Sequence, residues 1–195
     1  MDAARAATSI MENTEPRRVT IGQVRTGRLL QRFAPPETTM PLRPPALDPR
    51  TLEPNTASGY PEPFRSRVLP REKRRLGQAL GLKQLGVNLT TLPPGKESSM
   101  RHWHSHEEEF VFVLEGEVVL RTDAGEQTLV AGTCAGFKAG ANDGHQLVNR
   151  SSKPAVYLEV GTRDAADAVV YPDVDLLWDP AVNPDRFTHR DGRPY

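Results

Sequence analysis

From Leu85 to Gly161 the chain runs as short stretches rich in Val, Leu, Thr and Phe, separated at close intervals by Gly, Pro, Asn and Asp. This pattern limits the fold more than any other feature of the sequence. Runs of about four to eight such residues are too short for amphipathic helices and have strand length, and the residues between them supply turns. The segment therefore predicts an antiparallel all-β domain. The expected strands are residues 85–92, 99–104, 109–114, 117–122, 127–130, 134–137, 145–149 and 155–160, enough for a β-barrel. Glu115-Gly116 follows Phe110 to Leu114 and precedes Val118-Val119-Leu120, and Asp123-Ala124-Gly125-Glu126 ends the second run. Two tight hairpins are expected, with antiparallel neighbours at each. Phe110, Phe112, Leu114, Val118 and Leu120 are expected in the core, with Leu147, Val148, Tyr157 and Leu158. Cys134 is expected to be a small buried apolar residue.

The flanks are different. Residues 1–60 mix Arg, Glu, Thr and Pro without an apolar period and read as a flexible Pro/Arg-rich N-terminal extension. Within it Thr20 to Val24 suggests a short strand, Arg17, Arg18, Arg25, Arg28 and Arg32 a contact patch, and Met40 an alternative start that would leave 39 residues as an extension. Residues 61–84 form a turn-rich lead-in, in which Arg71 to Arg75 reads as a solvated loop or short helix. The barrel is expected at 85–161. Residues 162–195 read as an extended C-terminal arm clipped by Leu176, Leu177, Trp178 and Phe187 to the barrel or to a partner subunit.

Charge and cysteine content remove several classes of function. Lys plus Arg and Asp plus Glu number 25 each, giving a net charge of zero and no basic field to collect phosphate backbones, so nucleic acid is not an expected partner. One cysteine makes no internal disulfide, and no apolar run spans a bilayer, so no membrane association and a cytoplasmic location are expected. A domain of this size without disulfide bracing is expected to pair as a homodimer.

The chemistry is concentrated in His102-Trp103-His104-Ser105-His106-Glu107-Glu108-Glu109, which holds three of the chain's five histidines. In an extended strand residues two apart share a face, so His102 and His104 converge while Trp103 points away. Glu109 after a turn and His145 at the start of a distant strand complete a nitrogen and carboxylate set. Such a set suits one divalent transition metal (Fe, Mn, Zn, Ni, Co or Cu) with coordination positions left for water or substrate. His106 lies past the turn and reads as exposed or as support for a ligand. Glu107 and Glu108 are candidate acceptors for the outer nitrogen of a ligand imidazole. Lys138 is a candidate partner for an anionic substrate at the barrel mouth.

These residues resemble the cupin superfamily. Its first motif appears as Gly95, His102-Trp103-His104, Glu109 and Gly116, with the leading Gly one residue early; its second as Gly132, Gly140, His145 and Asn149. Lys138 stands where the family usually has Pro, and four residues rather than two separate Gly140 from His145. The resemblance covers about residues 80–161 and implies a jelly-roll β-barrel holding a metal on His102, His104, Glu109 and His145. The chain is most similar to short single-domain bacterial cupins with a Tyr60-Pro61-Glu62-Pro63-Phe64-like start and an Arg190-Asp191-Gly192-Arg193-Pro194-Tyr195-like ending. Two functions are compatible with this. One is a mononuclear metal-dependent enzyme acting on a small oxygenated molecule, by dioxygenase, isomerase or lyase chemistry, with Lys138, His106 and Glu108 as candidates for substrate or proton handling. The other is a non-catalytic module that binds or senses a small ligand.

Overall fold

The computed structural model describes residues 42–195. The strand expected at Thr20 to Val24, the arginine patch and the extension before Met40 lie outside these residues. Eleven strands, two short α-helices and a 3-10 turn at Pro49–Thr51 follow among these residues, with sheets of order β1-β2-β9-β4-β7, β6-β5-β8 and β11-β10-β3. The strands are β1 (Glu72–Arg75), β2 (Leu85–Leu92), β3 (Trp103–His104), β4 (Glu109–Glu115), β5 (Glu117–Thr122) and β6 (Gly125–Val130). They continue as β7 (Cys134–Phe137), β8 (Gln146–Val148), β9 (Ala155–Thr162), β10 (Val169–Val170) and β11 (Leu177–Trp178), and every pairing is antiparallel. The helices are α1 (Phe64–Val68) and α2 (Leu76–Ala79).

The five-stranded and first three-stranded sheets enclose the main core. Leu92, Val111, Val113, Ala155 and Tyr157 from one meet Val118, Leu120, Leu129 and Leu147 from the other. Each such side chain contributes about 1.5–3 kcal/mol on burial. A second cluster lies where α1 and the C-terminal arm meet. Phe64 and Val68, four apart and so on one helix face, pack with Tyr60, Met100, Val169, Tyr171 and Leu176.

Several expectations need correction. Residues 99–104 are strand only at Trp103–His104; before it the chain touches β8 through isolated bridges Glu97↔Val148 and His102↔His145. Glu115-Gly116 is not a hairpin, because β4 pairs with β7 and β9 whereas β5 pairs with β6 and β8. The turn carries the chain from one sheet to the other. Gly116 has φ 71°, and a Cβ there would lie 2.9 Å from the Pro154 carbonyl oxygen, so this corner takes glycine for both conformation and space. The charged run at Glu72–Arg75 is a strand on the sheet edge, neither loop nor helix. Its inward Lys73 reaches Glu159 at 2.6 Å, and Arg74 donates to the Leu52 carbonyl.

In β4 the core face is Val111 and Val113, while Phe110 is 41% exposed. Phe112, Leu114, Val148 and Leu158 are only half-buried. Period two says which residues share a face; it does not choose the inner face when both are apolar. Cys134 is exposed, not buried, because it sits opposite Phe112 on that outer face of edge strand β7.

Asn149 is fully buried and closes the end of the barrel. Its Nδ2 donates to the carbonyls of Leu92 at 2.7 Å and Lys153 at 2.8 Å, while its Oδ1 accepts from Ser151 N and Oγ. Asn149→Ala strands these groups without water and is expected to cost about 2–4 kcal/mol of stability in urea unfolding. A loss below about 0.5 kcal/mol overturns this account of the barrel end.

Candidate metal centre

The four side chains singled out in the sequence come together. His102 and His145 face each other through reciprocal backbone hydrogen bonds of 3.1 and 2.8 Å, which hold two strands 43 residues apart in sequence at one register. His104 follows on β3, on the same side as His102 as strand alternation requires. Glu109 opens β4 and points inward among the three rings. Its Oε2 lies 2.7 Å from His145 Nε2, 3.4 Å from His104 Nε2 and 3.6 Å from His102 Nε2. Ligating atoms of His102, Glu109 and His145 all lie within 4.8 Å of one another.

Two of the rings have their tautomer set from outside. His102 Nδ1 lies 2.9 Å from the Met100 carbonyl, which only accepts, so this nitrogen carries a proton and Nε2 faces inward toward Glu109. His104 Nδ1 donates to Asp167 Oδ2 at 2.6 Å. Asp167 is itself buried and braced by the amides of His106 and Glu107 and by Ser105 Oγ. His145 is fixed by packing: Phe137 stacks on it at 3.6 Å with an interplanar angle of 6°. Its Nδ1 is buried without a partner.

The electrostatics follow from this crowding. Burial works to raise the Glu109 carboxyl, but hydrogen bonds from His102, His104 and His145 outweigh it and hold the group well below the usual range. Burial lowers His104, yet Glu109 and then Asp167 overcome it and raise its pKa to about 9. Burial keeps His145 below its ordinary value despite Glu109. Inward lone pairs beside a carboxylate repel unless a cation lies among them, whether a proton or a metal ion. The donor set of imidazole nitrogens and one carboxylate fits a divalent transition metal.

The remaining sequence candidates lie around this cluster. Lys138 is exposed and lines an outer cavity with Trp103, His104, Glu109, Phe137 and His145. His106 and Glu108 are exposed and line neither cavity beside the cluster. The acceptor behind a ligand imidazole is Asp167, not Glu107 or Glu108. Glu107 bonds Arg163 and the Asp164 amide, and Glu108 offers its own amide to Thr162. No local sequence signal marks Asp167, which lies 63 residues from His104 and is brought in by pairing of β10 with β3. A second cavity of about 210 Å³ is lined by the three histidines and Glu109 and extends to Arg71, Lys73, Tyr157 and Glu159.

A family model described as a cupin domain matches residues 88–161. A crystal structure of a sugar phosphate isomerase from the cupin superfamily, from Silicibacter pomeroyi, is 44% identical with a TM-score of 0.72, covering 77% of this chain and 96% of that one. A structure named as a candidate sugar phosphate isomerase, from Acidithiobacillus ferrooxidans, is 34% identical with a TM-score of 0.53, over 55% of this chain and 68% of that one. A polyketide cyclase from Streptomyces resistomycificus shares the fold at 16% identity and a TM-score of 0.52, over 61% and 79% of the two chains. No curated protein matches the chain.

His104, held by Glu109 and then by Asp167, makes the metal-free protein sensitive to pH. His104, raised from 6.5 to about 9, contributes stability that is complete below pH 6.5 and lost as pH rises through about 9. Asp167, lowered from 3.8, contributes stability present above pH 3.8 and lost as pH falls through its lower folded value. With chelator present, the melting temperature is expected to fall from about pH 6.5 to 9, and Asp167→Asn is expected to remove a measurable part of that fall. Identical pH profiles for the two proteins overturn the assignment.

Proposed function

This chain belongs to the cupin superfamily, and we propose that it is a mononuclear metal-dependent enzyme that isomerises a small oxygenated molecule. The observation that carries the reading is the convergence of three imidazole Nε2 atoms on Glu109 Oε2 beside a cavity. His102, His104, Glu109 and His145 would hold the metal, one ion of the Fe, Mn, Co, Ni, Cu or Zn group. When bound, the ion supplies Lewis acidity, polarising a substrate carbonyl or hydroxyl and making the adjacent C–H acidic.

The chain's own groups do the rest. Asp167 and the Met100 carbonyl keep protons on the outer nitrogens of His104 and His102, so that both rings present Nε2 inward without rotating. Glu159 is the carboxylate of the inner cavity outside the ligand set. Lys73 Nζ at 2.6 Å and Asn88 Nδ2 at 2.9 Å fix one of its oxygens, which leaves the carboxylate to take a proton from one carbon and return it to the next. The relatives at 44% and 34% identity, described as sugar phosphate isomerases, favour isomerisation over oxygen chemistry.

A homodimer belongs to the same proposal. The outer face of the five-stranded sheet carries Phe110, 41% exposed and in register with half-buried Val160 and Val87, and Leu85, 42% exposed and two residues before Val87 on β2. An apolar sheet face of this kind is suited to packing against a second copy. Light scattering is expected to give twice the chain mass, and a single-chain mass overturns this part.

Protein purified without a tag or added metal is expected to contain about one equivalent of transition metal by elemental analysis, and His102→Ala with His104→Ala to lose about 90% of it. The loaded protein is expected to interconvert aldose and ketose forms in a panel of small sugars and their phosphates, without oxygen uptake. Absence of metal from the wild-type protein defeats the reading. Oxygen consumption with diketones or catechols instead moves the assignment to a dioxygenase.

A further inference from the structure

Arg71 stands out among the cations of its segment because its side chain is half-buried and has no partner, whereas Arg75, which also lacks one, is exposed. Arg65 donates to the Tyr60 carbonyl, Arg67 pairs with Glu97, Lys73 with Glu159, and Arg74 donates to the Leu52 carbonyl. Among the described residues Arg71 makes neither a side-chain hydrogen bond nor an ion pair, and its Nε is buried with its donor unmet. A guanidinium offers five N–H donors and cannot discharge by losing a proton, so leaving it desolvated and unpaired is costly, and a bound anion offsets that cost. The carboxylates nearest in the same cavity are already engaged, Glu159 with Lys73 and Asn88, and Glu109 with the histidines.

The surroundings of Arg71 repeat the pattern of unmet polarity. Tyr157 OH and Thr90 Oγ1, on residues paired in register between β9 and β2, are buried and have no partner. Burial and then Glu159 push the Tyr157 hydroxyl well above its ordinary pKa, and Tyr157 lines the same cavity as Arg71. Arg71 and Lys73 also line a larger open cleft of about 650 Å³ together with Arg75, Lys83 and Arg163. The two side chains thus stand between a basic approach and the cavity that contains His102, His104, Glu109 and His145. A basic approach of this kind raises the local concentration of anions.

We propose that Arg71, aided by the Tyr157 hydroxyl, is an anion subsite of the metal-ligand cavity, and that the substrate is a small hydroxy- or oxo-compound carrying a phosphate or carboxylate group. The planar guanidinium gives such a group two parallel hydrogen bonds, which fixes one end of the molecule and leaves its carbonyl or hydroxyl oxygens for the histidine–glutamate end. The cavity, at about 210 Å³, has room for a compound of a few carbons. The inference rests on the proposed function for the identity of the substrate's reactive end, but the anion subsite itself does not require that a metal be bound.

The test is calorimetric titration of the full chain with inorganic phosphate and, separately, with acetate, at constant ionic strength, on preparations whose metal content is measured. Saturable binding of at least one anion is expected, and the tighter of the two identifies the group the substrate carries. Arg71→Ala is expected to weaken it about tenfold or more and Arg71→Lys less, because an ammonium cannot give the bidentate pair. Metal content is expected to be unchanged in both. Tyr157→Phe removes a single oxygen from the ring and carries the same test if Arg71→Ala fails to fold; a loss of about threefold is expected. The His102→Ala, His104→Ala double variant is expected to keep phosphate affinity, which separates capture by Arg71 from capture by the ion. No saturable binding, or unaltered affinity in the Arg71 and Tyr157 variants, overturns the subsite while leaving a measured metal in place. Arg71-dependent binding in a protein without metal supports the subsite and defeats the metal reading.

Discussion

Three imidazole rings turned toward one half-buried carboxylate form an arrangement that is unstable without positive charge at its centre, and much of the fold serves to hold it. The Glu109 oxygen lies within 3.6 Å of all three Nε2 atoms. None of the rings is positioned by the cluster alone. His102 and His145 are locked by reciprocal backbone bonds, His104 by Asp167, and His145 also by the face of Phe137. Folding therefore assembles the donor atoms in advance, and the entropic cost of collecting them falls on the barrel core rather than on the ligand.

The barrel divides its interior accordingly. Toward Asn149, the side chains between the sheets are mostly aliphatic. Toward His145 they give way to Glu109, Lys73, Glu159 and Asn88, with buried hydroxyls at Thr90 and Tyr157 left unpaired. Such groups subtract from stability wherever they lie. Their concentration beside a cavity is the pattern expected when stability has been given up for ligand contact.

Much of this was legible in the sequence, and the exceptions have physical reasons. Strand positions from β2 to β9 follow from period-two runs and turn residues, apart from residues 99–102, and the grouping of His102, His104, Glu109 and His145 follows from alternation in His102-Trp103-His104 together with the cupin spacing of Glu109 and His145. The inward face of β4 was hidden because Phe110 to Leu114 is apolar on both faces, so composition could not decide between Val111 and Phe110. The strand at Glu72–Arg75 was hidden by its charge, since a lysine that satisfies a half-buried glutamate looks the same in sequence as one in water. Gly116 was recognised as a turn, but a glycine corner joining two sheets and one closing a hairpin have the same local signal. Asp167 and Arg71 were missed as site residues because their roles depend on contacts far along the chain or on having no contact at all.

The C-terminal arm has a further consequence for the protein's survival among peptidases. The main core is built entirely from residues before Arg163, and Arg163 to Ala166 form an exposed link to Asp167 and β10. Hydrolysis of one bond in that link would leave the covalent chain of the core whole. It would also cut loose the segment whose carboxylate fixes the His104 ring and whose backbone pairs with β3. Integrity of the barrel and integrity of the centre are thus separable, and a nicked molecule can keep its main hydrophobic core while its histidines lose their alignment.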